Sequence, residues 1–136
     1  MAANTRLASA TQILCVMAYL GEDTTSQVIA RSLRTNPVVV RRLLKRLERA
    51  GLVALRRGKE GGVSLARSPD EITLDQVYAA VEEDAGVFAL RPGSNPHCPV
   101  DRTVPRLLDP LFAAAREAVA AVLATTTVGT LVQSVP

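Results

Sequence analysis

The fifteen residues NPVVVRRLLKRLERA, Asn36 to Ala50, decide how the rest of the chain is read. Asn36 is a favourable N-cap, because its side chain accepts a bond from an otherwise orphaned amide, and Pro37 at the first helical position forfeits no bond the helix needs. A helix is predicted to start there. Val40, Leu43, Leu44 and Leu47 recur at spacings of three and four and form one apolar stripe, while Val38, Arg41, Arg42, Lys45, Arg46 and Arg49 fall on the remaining faces. One side suits a core and the other suits a polyanion. Gly51 follows and supplies the left-handed residue that stops the helix. A short, capped, basic helix is what a DNA major groove admits between its walls of phosphate. A solvated surface helix has the same composition, so the flanking sequence must decide.

Upstream, a helix is predicted over 5–20, with Leu7, Ala10, Ile13, Leu14, Met17 and Leu20 on one side and Gly21 ending it. Thr24 with Gln27 three residues later has capping-box spacing, and Val28, Ile29 and Leu33 share a face, which gives a short second helix over 25–33. Only Arg34 and Thr35 separate it from the Asn36 cap. Two short helices joined by a tight turn, the second of them basic, form a helix-turn-helix.

Downstream the period changes from helical to alternating. Leu52 to Arg57 is a predicted strand, Gly58 to Gly62 a turn, and Val63 to Ala66 the returning strand. This β-hairpin, with Arg56, Arg57 and Lys59 near its tip, is the wing of a winged helix. The Gly-rich turn lacks the GxxxxGK[ST] pattern of a nucleotide site. Thr73 and Gln76 repeat the capping-box spacing before a helix whose apolar face is Leu74, Val77, Tyr78 and Val81, predicted to pack on the first helix. Residues 82–104 read as an extended connection, since Pro92, Pro96 and Pro99 argue against regular structure.

From about Thr103 to 125 a long helix is predicted, with Leu108, Leu111, Phe112, Ala115, Val119, Val122 and Leu123 spaced by threes and fours. Pro110 is expected to kink it or restart it at Asp109. Such a helix exceeds what a small winged domain needs for its own core, so its expected partner is the same helix of a second copy. Val128, Leu131 and Val132 are expected at the edge of that dimer.

Charge is concentrated in one quarter of the sequence. The 136 residues carry a net +3, yet Arg31 to Arg67 holds eleven Lys or Arg against Glu48 and Glu60, a local +9, and the remainder has five basic and eleven acidic residues. That is the electrostatic footprint expected of a protein for polyanions. Cys15 and Cys98 fall in no CxxC or zinc pattern. Residues 13–20 have the apolarity of a signal peptide but only Arg6 before them and no small-residue cleavage site after, so they read as a buried helix. No membrane anchor is expected, and a reducing cytoplasm is the expected location.

The run TNPVVVRRLLKRLERAGLVALRRGKEGGVSLA, followed by SPDEITLDQVYAAVE, resembles the winged helix-turn-helix regulators of the BadM or Rrf-two type, the family of IscR, NsrR and CymR. The resemblance covers nearly the whole chain, and the combination of AGLV, RRG, GG and ITL carries it. It implies a mainly α fold with a small β-hairpin: a winged helix-turn-helix domain (1–83), a variable sensor loop (84–102), and a dimerisation helix with C-terminal tail (103–136). The implied function is a homodimeric transcription regulator, usually a repressor, whose C-terminal half senses a signal. Iron–sulfur members hold their cluster with three cysteines in the loop before the long helix, whereas this loop has only Cys98. A cluster wants four protein thiolates, with histidine an occasional replacement, so no cofactor is expected and the resemblance is to the cluster-free branch.

Within this frame the candidate DNA-binding residues are Thr35, then Asn36, Val38, Val39, Arg41 and Arg42 facing the groove, with Lys45, Arg56, Arg57 and Lys59 placed for phosphates. The candidate sensor is His97 with Cys98, where a nearby imidazolium would make the thiol more reactive; the alternative is that His-Cys-Pro-Val simply ends the loop. A metabolite between the winged domain and the long helix is a further effector class. Two other readings are a winged helix that binds protein instead of double-stranded DNA, which leaves the local +9 without a purpose, and a thiol enzyme built on Cys98 and His97, which lacks a third orienting group.

Overall fold

A computed structural model describes residues 4–82 and 88–136. Six helices and one hairpin follow in the order α1 (Arg6–Leu20), α2 (Ser26–Leu33), α3 (Pro37–Arg49), β1 (Val53–Arg56), β2 (Gly62–Leu65), a 3-10 turn (Pro69–Glu71), α4 (Leu74–Val81), α5 (Pro99–Leu123) and α6 (Val128–Gln133). The mainly helical architecture with one hairpin is the one expected from the sequence.

The caps explain where α3 begins and ends. Asn36 Oδ1 accepts the Val38 amide at 2.8 Å, with Pro37 at the first helical position. At the other end Gly51 adopts φ +76°, its N–H donates to the Glu48 carbonyl, and the Leu52 N–H donates to Leu47. This pair of bonds is the Schellman arrangement, and Leu52, 1% exposed, makes the apolar contact that usually accompanies it. The apolar stripe Val40, Leu43, Leu44 and Leu47 is buried as its spacing predicts.

The α2 cap lies one residue later than the capping-box spacing suggested. Thr25, not Thr24, accepts the Val28 amide, because Thr24 is occupied in a backbone bridge with Val63. That bridge adds a third short strand position beside the hairpin, whose register pairs Val53 with Leu65 and Arg56 with Gly62. Val28, expected on the inner face, is 40% exposed, and the inner face is made by Ile29 and Ala30. At α4 the Thr73 amide donates to Gln76 Oε1 as the box predicts.

The core gathers Ile13, Leu14, Ile29, Leu44, Leu47, Leu52, Ile72, Val77 and Val81 from α1 through α4. The C-terminal tail joins it. Val128 is fully buried and its N–H donates to the Ile72 carbonyl, the Leu74 N–H donates to Thr126, and α6 packs on α1 and the 3-10 turn. The tail residue expected at a dimer edge thus belongs to its own winged domain.

The long helix begins at Pro99, four residues before the expected start, with Cys98 as its N-cap residue. It runs 25 residues with both Pro105 and Pro110 inside it. Proline at the first helical position starts a helix without cost, which is how Pro99 serves here. Pro105 leaves the Asp101 carbonyl without its usual donor, and Gly93 lies so close over that oxygen that a Cβ there would be 2.7 Å from it. The segment 88–98 runs back along α5 from its start to past its middle, with Phe88 against Phe112 (ring centroids 5.9 Å apart) and the Phe88 carbonyl accepting from Arg116. The acidic cluster at Glu83 and Asp84 lies outside the described residues.

Candidate nucleic-acid interface

The outward side of α3 and the wing form one basic face. Thr35, Asn36, Val38, Val39, Arg41, Arg42 and Lys45 are exposed, and so are Arg56, Arg57 and Lys59. With the leucines of α3 seated on the core, Arg41 and Lys45, one turn apart, point toward the wing. There they line a cleft of about 330 Å³ with Arg56 and Arg57, over a floor of Leu44, Leu55 and Val63. Val39 and Thr35 lie on the opposite flank, in a smaller cleft of about 210 Å³ beside Ser9 and Gln12 of α1. Exposed valine among arginines fits a surface that meets thymine methyl groups and phosphates.

Two basic residues are engaged elsewhere. Arg46, on the inner edge of α3, donates to the Val81 carbonyl at 3.0 Å and ties α3 to α4. Arg56 Nη2 lies 2.5 Å from Asp23 Oδ2, which fastens the wing to the segment before α2. Asp23 and Ser26, which also borders the cleft, were not singled out from the sequence. Neither has a local signal, since each becomes relevant only when the wing folds beside it. The turn itself carries the one positive φ of a residue other than glycine among the described residues, Arg34 at +50°.

The candidate sensor residues sit far from this face in sequence and on different geometry. Cys98 is half-buried at the start of α5 and borders a second cleft of about 480 Å³ with Leu90, Val100, Val104 and Leu108. His97 is exposed, its backbone N–H donating to Asn95 Oδ1; no hydrogen bond joins its ring to the Cys98 thiol among the described residues. The loop is held by Asp101, which accepts the Asn95 and Ser94 amides at 2.7 and 2.8 Å and pairs with Arg91 at 3.1 Å. The two backbone donors, helped by Arg91, keep its carboxyl below the usual carboxylate range. Cys15 lies on α1 packed against the core, and burial pushes its thiol up, which suits an inert packing residue.

The donor set does not fit an iron–sulfur cluster. The chain has two cysteines, on α1 and at the start of α5, and among the described residues no group of three His, Cys, Asp or Glu side chains is placed to hold a metal ion. No described helix is long and apolar enough to cross a membrane.

Comparison with known proteins agrees with this geometry. Residues 3–134 match the Rrf2 family model, described as an iron-dependent transcriptional regulator. YwnA of Bacillus subtilis (strain 168), which carries the name of an HTH-type transcriptional regulator, is 40% identical over 115 residues, 85% of each chain. A crystallised protein described as DNA-binding is 35% identical and superposes with a TM-score of 0.73 over 93% of this chain and 97% of its own. CymR, the global cysteine regulator of B. subtilis, is 25% identical with a TM-score of 0.69 over 100% of this chain and 99% of its own. The chain belongs to the Rrf2 family of winged helix-turn-helix transcriptional regulators, a family of DNA-binding proteins and not of enzymes.

Proposed function

We propose that this chain is a sequence-specific, homodimeric transcriptional repressor that works in the cytoplasm without an iron–sulfur cluster. The observation that carries the reading is α3: its four apolar residues are buried while Val38, Arg41, Arg42 and Lys45 all face solvent beside the wing. Asn36, Val38, Val39, Arg41 and Arg42, with Thr35 at the entrance, read base edges, and Lys45, Arg57 and Lys59 hold phosphates. DNA reading falls to 1–83, signal reception to 84–102 and pairing to the long helix of 103–136, whose tail from Val128 packs on its own winged domain.

Pairing is supported by the exposed side of α5. Val100, Val104, Leu107, Leu111 and Val122 stand 39 to 69% exposed, and Val100, Val104, Leu107 and Leu111 recur with Ala114 and Ala118 at the 4-3 spacing of a coiled-coil seam, Val122 lying one turn further on. The other side of the helix, Leu108, Phe112, Ala115 and Val119, is half-buried on its own chain. A second copy related by a twofold axis covers the exposed seam, and its operator is partly palindromic. Cys98 is the residue through which a thiol-reactive or small apolar signal enters, because it ends the loop and begins the pairing helix.

The test is selection of duplexes by the purified protein from random-sequence DNA, repeated with oxidant and with Cys98→Ser. A partly palindromic consensus is expected, with oxidant lowering affinity for the wild type and not for Cys98→Ser. On the selected operator Arg41→Ala is expected to cost about 1 to 3 kcal/mol and to relax specificity, whereas Lys59→Ala weakens operator and random DNA alike and flattens the salt dependence. Equal losses on operator and random DNA for Arg41→Ala would remove it from base reading.

A further inference from the structure

The cleft between α3 and the wing has an arrangement that its depth and charge make specific. Three of its cations, Arg41, Lys45 and Arg57, form no ion pair with any described residue, and they come from two facing walls. Ser26 of α2 closes a third side. The fourth cation, Arg56, is already answered by Asp23. Leu44, Leu55 and Val63 make the floor apolar, so an anion in the cleft meets unpaired positive charge from the walls. On the α2 side the wing is held close: a Cβ at Gly62 would come within 2.8 Å of the carbonyl of Thr24, in the segment just before α2.

A helix in the major groove and a wing tip in the next minor groove have one thing between them, the single phosphodiester strand that separates the two grooves. Resting on the DNA reading above, we propose that this cleft seats one phosphodiester of that strand, held by Lys45, Arg57 and the Ser26 hydroxyl, with Asp23 withholding Arg56 from the seat. Arg41 stands at the lip toward the bases. The seat fixes the register of α3 along the groove, and it does so from three elements that meet only in the folded domain. Asp23 lowers the number of cations that any duplex meets on first approach, which weakens binding to DNA that lacks the matching bases.

The experiment replaces single phosphates of the selected operator by neutral methylphosphonates, one position at a time, and measures affinity for wild type, Lys45→Ala, Arg57→Ala and Ser26→Ala. Lys45 and Arg57 are exposed, so their removal leaves the fold intact. One position per half-site is expected where neutralisation weakens the wild type by about tenfold and the Lys45 and Arg57 variants by less than about threefold. Losses that multiply at every position overturn the seat while leaving DNA reading standing; a wild type that selects no consensus overturns both. Millimolar ATP at matched ionic strength is expected to leave operator binding unchanged, and ATP competition that disappears in Lys45→Ala would reassign the cleft to a free nucleotide. Asp23→Asn is expected to steepen the salt dependence on random-sequence duplex by about one phosphate, a slope change of about 0.9, and to have no such effect in an Arg56→Ala background. The same steepening with and without Arg56 would overturn the role given to Asp23.

Discussion

The winged domain and α5 solve opposite problems. Within the winged domain, α1 to α4 and the hairpin bury a full set of apolar side chains, and Ala10, Ile29, Val40, Leu47, Ile72, Val77, Val81 and Val128 are 0% exposed. In α5 no residue is buried, although the helix is about 37 Å long by its 25 residues. Its internal prolines remove two backbone bonds, and Leu107 and Leu111 stand more than 60% exposed. One region is held by its own core, and the other leaves apolar area that a single chain does not cover. Coupling between them is direct, because the tail after α5 ends inside the winged core at Val128.

The comparison breaks most visibly under core truncation. Leu44→Ala removes a side chain that is 1% exposed at the centre of the domain and is expected to cost about 2 to 5 kcal/mol. Chemical denaturation followed by helical signal should show this loss, equal at low and high protein concentration. A loss that shrinks with concentration would mean that α3 is stabilised by the partner and not by its own core.

The paired substitution Leu107→Glu with Leu111→Glu acts on the other region. Carboxylates in an apolar seam have no counter-charge, so the dimer is expected to weaken by at least about a hundredfold, equivalent to about 2.7 kcal/mol. Both side chains are exposed in the single chain, so the winged domain should keep its fold. Sedimentation velocity would show a monomer with unchanged near-ultraviolet signal from the domain. An unchanged dimer would move the pairing surface elsewhere, and a collapsed domain would mean that this part of α5 supports its own chain.

The two regions also differ in how much of them was legible. In the winged domain each local rule agrees with the fold: Asn36 caps, Gly51 stops, the leucine stripe faces in, and the wing alternates. The basic face follows from α3, since the stripe fixes which residues remain outside. What the sequence hid there depends on distant partners, as with Thr24, whose backbone is drawn to Val63, and Arg56, whose charge is met by Asp23. Arg46 looked like one more surface cation until α4 offered it the Val81 carbonyl. In α5 the local rules mislead, because proline usually ends helices and three prolines in the preceding loop suggested that the helix had not begun. Pro99 instead starts it, and a carbonyl freed by Pro105 is covered by Gly93. Nor does spacing alone divide apolar residues between an own-chain face and a free one; Leu108 and Leu111 had the same reading and different fates.

The smallest expected effect concerns the clip that gives the start of α5 its local order. Asp101 accepts two backbone amides and Arg91, and this donor set stabilises the ionised carboxylate over the neutral acid. A carboxyl with a depressed folded-state value contributes order that is complete above its ordinary value and disappears as pH falls through the lowered one. At neutral pH the loop 91–98 should therefore be clipped, and acidification should release it only below the usual carboxylate range. Amide resonances of Ser94 and Asn95 report the change directly: their bonded shifts should persist through mildly acidic pH and then move together. Asp101→Asn retains one acceptor but loses the charge, so those amides should exchange several-fold faster at neutral pH while the melting of the winged domain stays put. Unchanged exchange in that variant would mean that the loop is held by its contacts along α5, with Phe88 on Phe112 as the dominant one, and that Asp101 follows the loop's position without setting it.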